Sequence, residues 1–182
     1  MGSSPAFVSP VSSAFHLFST GTDETQDGGD DEKVATTCSG GRHNEGCWSA
    51  RLMWRKEGKG EVYTYLPPKF EENDVQCHVE PLSTCNPTYG ASVGRGAFHF
   101  QAGQWTTVAQ RVRLNDAGQA NGEIELFVGG ESKIKVSGLV LRGSSAGRIR
   151  GIQIQTFFGG AIFLWHYRAQ LIDQFHMFRF DR

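Results

Sequence analysis

An all-β sandwich is the fold class this chain predicts, on three observations. Twenty-three glycines punctuate many short runs rich in Val, Ile, Phe and Trp, the composition of strands joined by turns. Apolar and polar positions alternate rather than recurring at helical spacing, so no stretch reads as a long amphipathic helix. At 182 residues and 38% hydrophobic content the chain fills one sizeable core. Short strands without helices bury their apolar faces by stacking sheet on sheet, and no internal repeat argues for anything else.

Residues 1–37 are rich in Ser, Gly and acidic side chains, with GTDETQDGGDDE their most polar part. They read as a flexible or disordered lead-in, and residues 38–182 as the domain. Strands follow at 48–55 and 60–66, with the glycine-containing KEGKG turning between them. Pro67-Pro68 stops the second run, and 69–86 reads as a loop. A short strand is expected at 97–100 and a stronger one at 105–114, where Val108, Val112 and Leu114 oppose Trp105, Thr107, Arg111 and Arg113. NDAGQANG is a turn cluster. The strand at 123–128 is expected to be covered on both faces, Gly129-Gly130 suits a tight hairpin into 133–136, and 139–141 adds a short strand. Residues 148–158 put Ile152, Ile154 and Phe158 opposite Gly151, Gln153 and Gln155. A closing strand is expected near 175–180, within an atypical tail at 161–182.

The net charge is −1 and the 18 basic residues form no dense block, which argues against nucleic acid as a partner. No run is long enough to span a membrane, and Ala6 stands where a myristoylation signal needs Ser or Thr. Cys38, Cys47, Cys77 and Cys85 form two close pairs, which fits two local disulfides in an oxidising compartment. Four buried thiols are the alternative. A zinc site is disfavoured because the spacings miss the usual close-paired pattern and no His pair follows. The six histidines are scattered, and no metal ligand set is visible. An extracellular location is expected although 1–18 has no recognisable export signal.

The hairpin candidate carries the chemistry. Successive strand side chains point to opposite faces, so Ser49, Arg51, Met53 and Arg55 share one face of the first run, and Glu61, Tyr63 and Tyr65 one face of the second. Antiparallel pairing stands Ser49, Arg51, Tyr63 and Tyr65 together: a hydroxyl, a guanidinium and two phenols in one patch. Taken alone, a strand arginine and two strand tyrosines are more often packing than chemistry.

The string CSGG, CWSARLMWR, GEVYTYLP, NPTYGASVGRGAF, QWTTVAQRVRLND, GQANGEIELFV and GRIRGIQIQTFFGG resembles polysaccharide lyase family 14, the alginate and glucuronan lyases, and its fungal members in particular. The likeness covers about 38–160, with several motifs in order. It implies a jelly-roll β-sandwich whose concave sheet forms a polysaccharide cleft, and β-elimination on a 1,4-linked polyuronate. Such cleavage needs a cation on the uronate carboxylate, a base for the proton beside it and an acid for the departing glycosidic oxygen. Arginine presents a planar fork matched to a carboxylate, and Arg51 is the candidate. A phenol ionises near pH 10 unless a cation helps to hold its phenolate, and Tyr63 and Tyr65 stand on the face expected for Arg51. The resemblance assigns these two tyrosines the acid and base duties, and Ser49 an orienting role toward substrate.

Gln153, Gln155 and Arg111 are the substrate-binding candidates, with His99, Arg95 and Arg113 behind them. Asn86 and Tyr89 lie in NPTYG, read as a shaped loop. An acidic polysaccharide is the expected partner, no cofactor is required, and a monomer is expected. One departure stands out. The family's catalytic lysine precedes CSGG in a K-L-P-G-L-Y-G-G type segment, whereas the matching region here is TGTDETQDGGDDEK. Gly28-Gly29 survive, but Lys33 lies on the wrong side of them and does not inherit the role. The alternative function is therefore a non-catalytic β-sandwich that binds acidic polysaccharide.

Overall fold

The computed structural model describes residues 13–20, 38, 40–149 and 151–156. Among them are nine strands: β1 (Ser13–Thr20), β2 (Cys47–Trp54), β3 (Gly60–Tyr65), β4 (Thr84–Cys85), β5 (Ala91–Val93), β6 (Val108–Arg113), β7 (Gly122–Val128), β8 (Glu131–Leu139) and β9 (Gly151–Thr156). They build a six-stranded sheet in the order β4-β5-β3-β2-β1-β9 and a three-stranded sheet in the order β6-β7-β8. Every pairing is antiparallel. The two sheets form a jelly-roll β-sandwich.

Alternation explains how the sheets stack. Trp48, Ala50, Val62, Ala91 and Val93 of the larger sheet and Ile124, Leu126, Ile134 and Val136 of the smaller one form a single buried cluster. Each is the inward half of a period-2 strand, so the polar alternates of β2 and β3 must lie on the outer face. The outer face of β7 is covered too, by ion pairs rather than apolar packing. Glu125 is 8% exposed beneath Arg111 and Ser132.

The structure departs from the sequence reading in several places. Ser13–Thr20, inside the expected lead-in, is a strand between β2 and β9. Its run SAFHLFST has Ser and His between its apolar residues, and pairing on both sides supplies the order that its local pattern does not. The expected strand at 97–100 contributes only a bridge between Lys59 and His99. Phe98 instead folds over Gly60, where a Cβ would lie 2.1 Å from its ring. The loop at 69–86 holds a 3-10 helix (Glu71–His78) and β4. The separate strands expected at 133–136 and 139–141 are one strand, because Gly138, at φ 83°, is the extra residue of a bulge opposite Gly122 and Glu123. The expected closing strand at 175–180, the tail beyond 160 and Lys33 lie outside the described residues.

Two disulfides are present, Cys38–Cys47 and Cys77–Cys85, with Cα separations of 6.1 and 5.6 Å. Buried amides fasten the loops. Asn115 is fully buried. Its Oδ1 accepts the Leu141 and Arg142 backbone N–H groups, and its Nδ2 donates to the Arg142 carbonyl. Asn115→Ala leaves these groups unpaired in the interior and is expected to cost about 3 kcal/mol. A thermal melt should show Tm falling by roughly 6–12 °C; an unchanged Tm would mean water replaces the amide without loss.

Candidate functional site

The β2–β3 register sets Ser49 opposite Tyr65 and Arg51 opposite Tyr63. Directly paired residues share a sheet face, so the four polar groups converge as the alternation predicts. The Arg51 guanidinium leans diagonally, its carbon 5.0 Å from the centre of the Tyr65 ring. The two phenol rings meet edge to face at 5.8 Å.

Arg51 is 6% exposed. Its Nη2 donates to the Cys38 carbonyl at 2.7 Å, while its buried Nε has no partner among the described residues. Burial pulls the guanidinium below the usual arginine range, and the two tyrosines pull it back. No described carboxylate pairs with it. A buried cation without an anion is costly.

Cys38 is placed for its role by the disulfide to Cys47 at the start of β2. Its carbonyl accepts from both the Ser49 hydroxyl, at 2.8 Å, and Arg51. Ser49 is 3% exposed and its hydroxyl is directed at this loop, so its visible work is to position the Cys38 carbonyl that anchors Arg51.

The tyrosines differ. Tyr63 is half-buried, and burial, followed by the neighbouring Tyr65, pushes it up to about 12 against the opposing pull of Arg55 and Arg51. Tyr65 is 2% exposed, and its phenolic oxygen accepts the Gly41 N–H at 2.9 Å. The His43 ring leans at a tilt against the Tyr65 ring, 5.1 Å between centroids. The NPTYG loop shapes this end. Asn86 Oδ1 accepts the backbone N–H groups of Thr88 and Tyr89, and the loop then presses on Gly41, where a Cβ would meet the Thr88 carbonyl at 3.3 Å. Gly90 closes the motif against Tyr65, leaving no room for a Cβ beside the ring at 2.9 Å.

Of the remaining candidates, Gln153 lies in the same cross-strand row as Arg51, through His16 of β1, and Gln155 pairs with Ala14. Arg111 is not brought to this site. It stands on β6 in the other sheet, paired with Glu123 and Glu125 at 2.6 and 3.0 Å, because its alternation places it on the outer face of that sheet. Arg113 is likewise paired with Glu123. Sequence reading missed Gly41, His43 and Gly90, whose importance comes only from contact with Tyr65. It also missed Arg55 and Glu61 as a unit with Arg95 beside Tyr63. Among the described residues no group of three or more His, Cys, Asp or Glu gathers.

Comparison with known proteins bears on this geometry. The family model described as polysaccharide lyase 14 matches residues 21–178. The marine PL-14 alginate lyase from Aplysia kurodai superposes with a TM-score of 0.64 at 27% identity, over 87% of this chain and 66% of that one. An alginate lyase from Chlorella virus superposes with a TM-score of 0.59 at 19% identity, over 82% of this chain and 57% of that one. The chain thus spans less than two thirds of the length of either structure. No curated protein matches significantly.

Proposed function

Because this chain belongs to polysaccharide lyase family 14, we propose that it cleaves a 1,4-linked polyuronate, alginate or glucuronan, by β-elimination outside the cell. One observation carries the reading: Arg51 is a buried guanidinium with no described counter-anion and an unpartnered Nε. A uronate carboxylate supplies the missing charge, and its two oxygens fit the planar fork. Neutralising that carboxylate acidifies the proton beside it, which is the difficult step. The charge that builds up as the proton leaves is stabilised where the cation is preorganised and shielded from water.

Tyr65 takes the proton. Its oxygen faces the Gly41 N–H, and Arg51 lies over its ring. Tyr63 keeps its own proton up to about 12 and gives it to the glycosidic oxygen as the bond β to the carboxylate breaks. The electron pair of the broken C–H bond becomes the new double bond. One proton passes from substrate to Tyr65 and one from Tyr63 to the leaving oxygen, so a proton returns from Tyr65 to Tyr63, whose rings meet edge to face, before the next turnover. Ser49 acts at one remove, through the Cys38 carbonyl. The two disulfides support an extracellular setting. Gln153, in the row of Arg51, is a candidate to bind the sugar hydroxyls.

Mass spectrometry of the oligomers formed from either polymer tests the reaction type. Elimination yields fragments whose masses sum to that of the parent, whereas hydrolysis adds one water for each cut. Water-added fragments would overturn the reading. Binding of the polymer without any fragments would support the non-catalytic alternative, which the absent family lysine favours.

A further inference from the structure

Glu61 lies two residues before Tyr63 on the same face of β3 and is completely buried. A carboxylate in that position must be paired. Its Oε1 accepts from Arg55 Nε at 2.8 Å, and Arg55 Nη2 is 2.6 Å away. Its Oε2 accepts from the Ser92 hydroxyl at 2.7 Å and from Arg95 Nε at 2.8 Å. Arg95 also donates to Ser92 through Nη2 at 2.9 Å. One carboxylate therefore faces two guanidiniums, and one unit of positive charge is left over. Neither guanidinium is sealed in: the Arg55 and Arg95 side chains are 30% and 31% exposed. Among the described residues, Nη1 of each has no hydrogen-bond acceptor.

The surplus charge is aimed at the site. Arg55 lies over the Tyr63 ring at 5.6 Å, and Ser92, which holds Arg95, is the register partner of Tyr63. Along the strands, Ser49 and Tyr65 form one pair, Arg51 and Tyr63 the next, Met53 and Glu61 the one after. The arginine pair thus sits one step beyond Arg51, on the side away from Tyr65. We infer that Arg55 and Arg95, held apart by Glu61, form a second carboxylate-binding subsite, which takes the uronate next to the one held by Arg51. This rests on the polyuronate reading. A polymer with a carboxylate on every sugar then meets two cationic positions on one face, and the second fixes which glycosidic bond lies over the tyrosines. The buried Glu61 keeps both forks oriented, and the exposed edges remain available to a planar anion.

Titration of the full chain in a Tyr65→Phe background, which binds without turnover, with an unsaturated-end-free tetrauronate, at low and at moderate salt, tests the assignment. Glu61→Gln removes the internal anion and raises the local charge by one, so affinity should tighten about threefold or more at low salt and fall more steeply as salt is added. Arg95→Lys keeps a cation for Glu61 but loses the fork, and affinity should weaken by about threefold to tenfold. A thermal melt of each variant establishes that folded protein is being titrated. A purely structural triad would lower Tm in both variants and leave the affinity of the folded protein at the value of the Tyr65→Phe parent, which would overturn the inference alone. A folded Tyr65→Phe parent that binds no tetrauronate would overturn the polyuronate reading, and this inference with it.

Discussion

Arg51→Leu is expected to lower polyuronate cleavage by about 10^3-fold, the scale of removing a preorganised charge-stabilising donor, without lowering Tm. The two halves of this result have one cause. Arg51 is 6% exposed and has no described counter-anion, so in the free protein its charge is a burden, and an apolar side chain of similar volume relieves it. Nothing is orphaned by the change, because the Cys38 carbonyl still accepts from Ser49. Arg51→Lys should keep the charge and lose the two-pronged contact, leaving activity between those of the leucine variant and the wild type. Initial rates on polymer together with melting curves read both effects. A leucine variant that melts well below the wild type would show that Arg51 holds the fold rather than awaiting a substrate.

Tyr65→Phe is the second large effect. It removes the hydroxyl assigned to proton abstraction and is expected to cost about 10^2- to 10^4-fold in turnover, with polymer affinity nearly unchanged because the ring, and the guanidinium above it, remain. Tyr63→Phe should show a comparable loss through the leaving group. The pH dependence separates the two roles. Tyr63 is pushed up to about 12, by burial first, so as an acid it stays protonated and competent throughout the neutral and alkaline range below that value. If Tyr63 were the base instead, activity would depend on the small ionised fraction and climb steadily toward pH 12. Activity that is lost as Tyr63 ionises near pH 12 supports the assignment, and activity that is gained there contradicts it.

The hairpin at the centre of this account was legible because a strand's period of two and a turn of fixed length determine which side chains face one another. Ser49 with Tyr65 and Arg51 with Tyr63 follow from counting. Both disulfides followed from pairs of nearby cysteines. What lay hidden depends on contacts between distant segments. Arg95 reaches Glu61 across 34 residues of sequence, and the polar alternation around it gives no hint of that destination. The Cys38 carbonyl that anchors Arg51 is backbone, which composition does not mark. Arg111 has the right chemistry for a uronate but the wrong sheet, a distinction that alternation within one strand cannot make. NPTYG was visible as a motif, but its use was not: its loop presses on Gly41 and its last glycine admits the Tyr65 ring. Strand β1 was missed because its order comes from two neighbours rather than from its own pattern.

Ultraviolet absorbance of the purified chain mixed with alginate, and separately with glucuronan, from neutral to alkaline pH, reads elimination at the Arg51, Tyr63 and Tyr65 centre. The double bond formed by elimination absorbs where the intact polymers do not. A rise on at least one polymer that is abolished in Arg51→Leu is the expected result, and it would show that the Arg51, Tyr63 and Tyr65 centre is catalytic. No rise on either polymer, from folded protein that binds them, would contradict it.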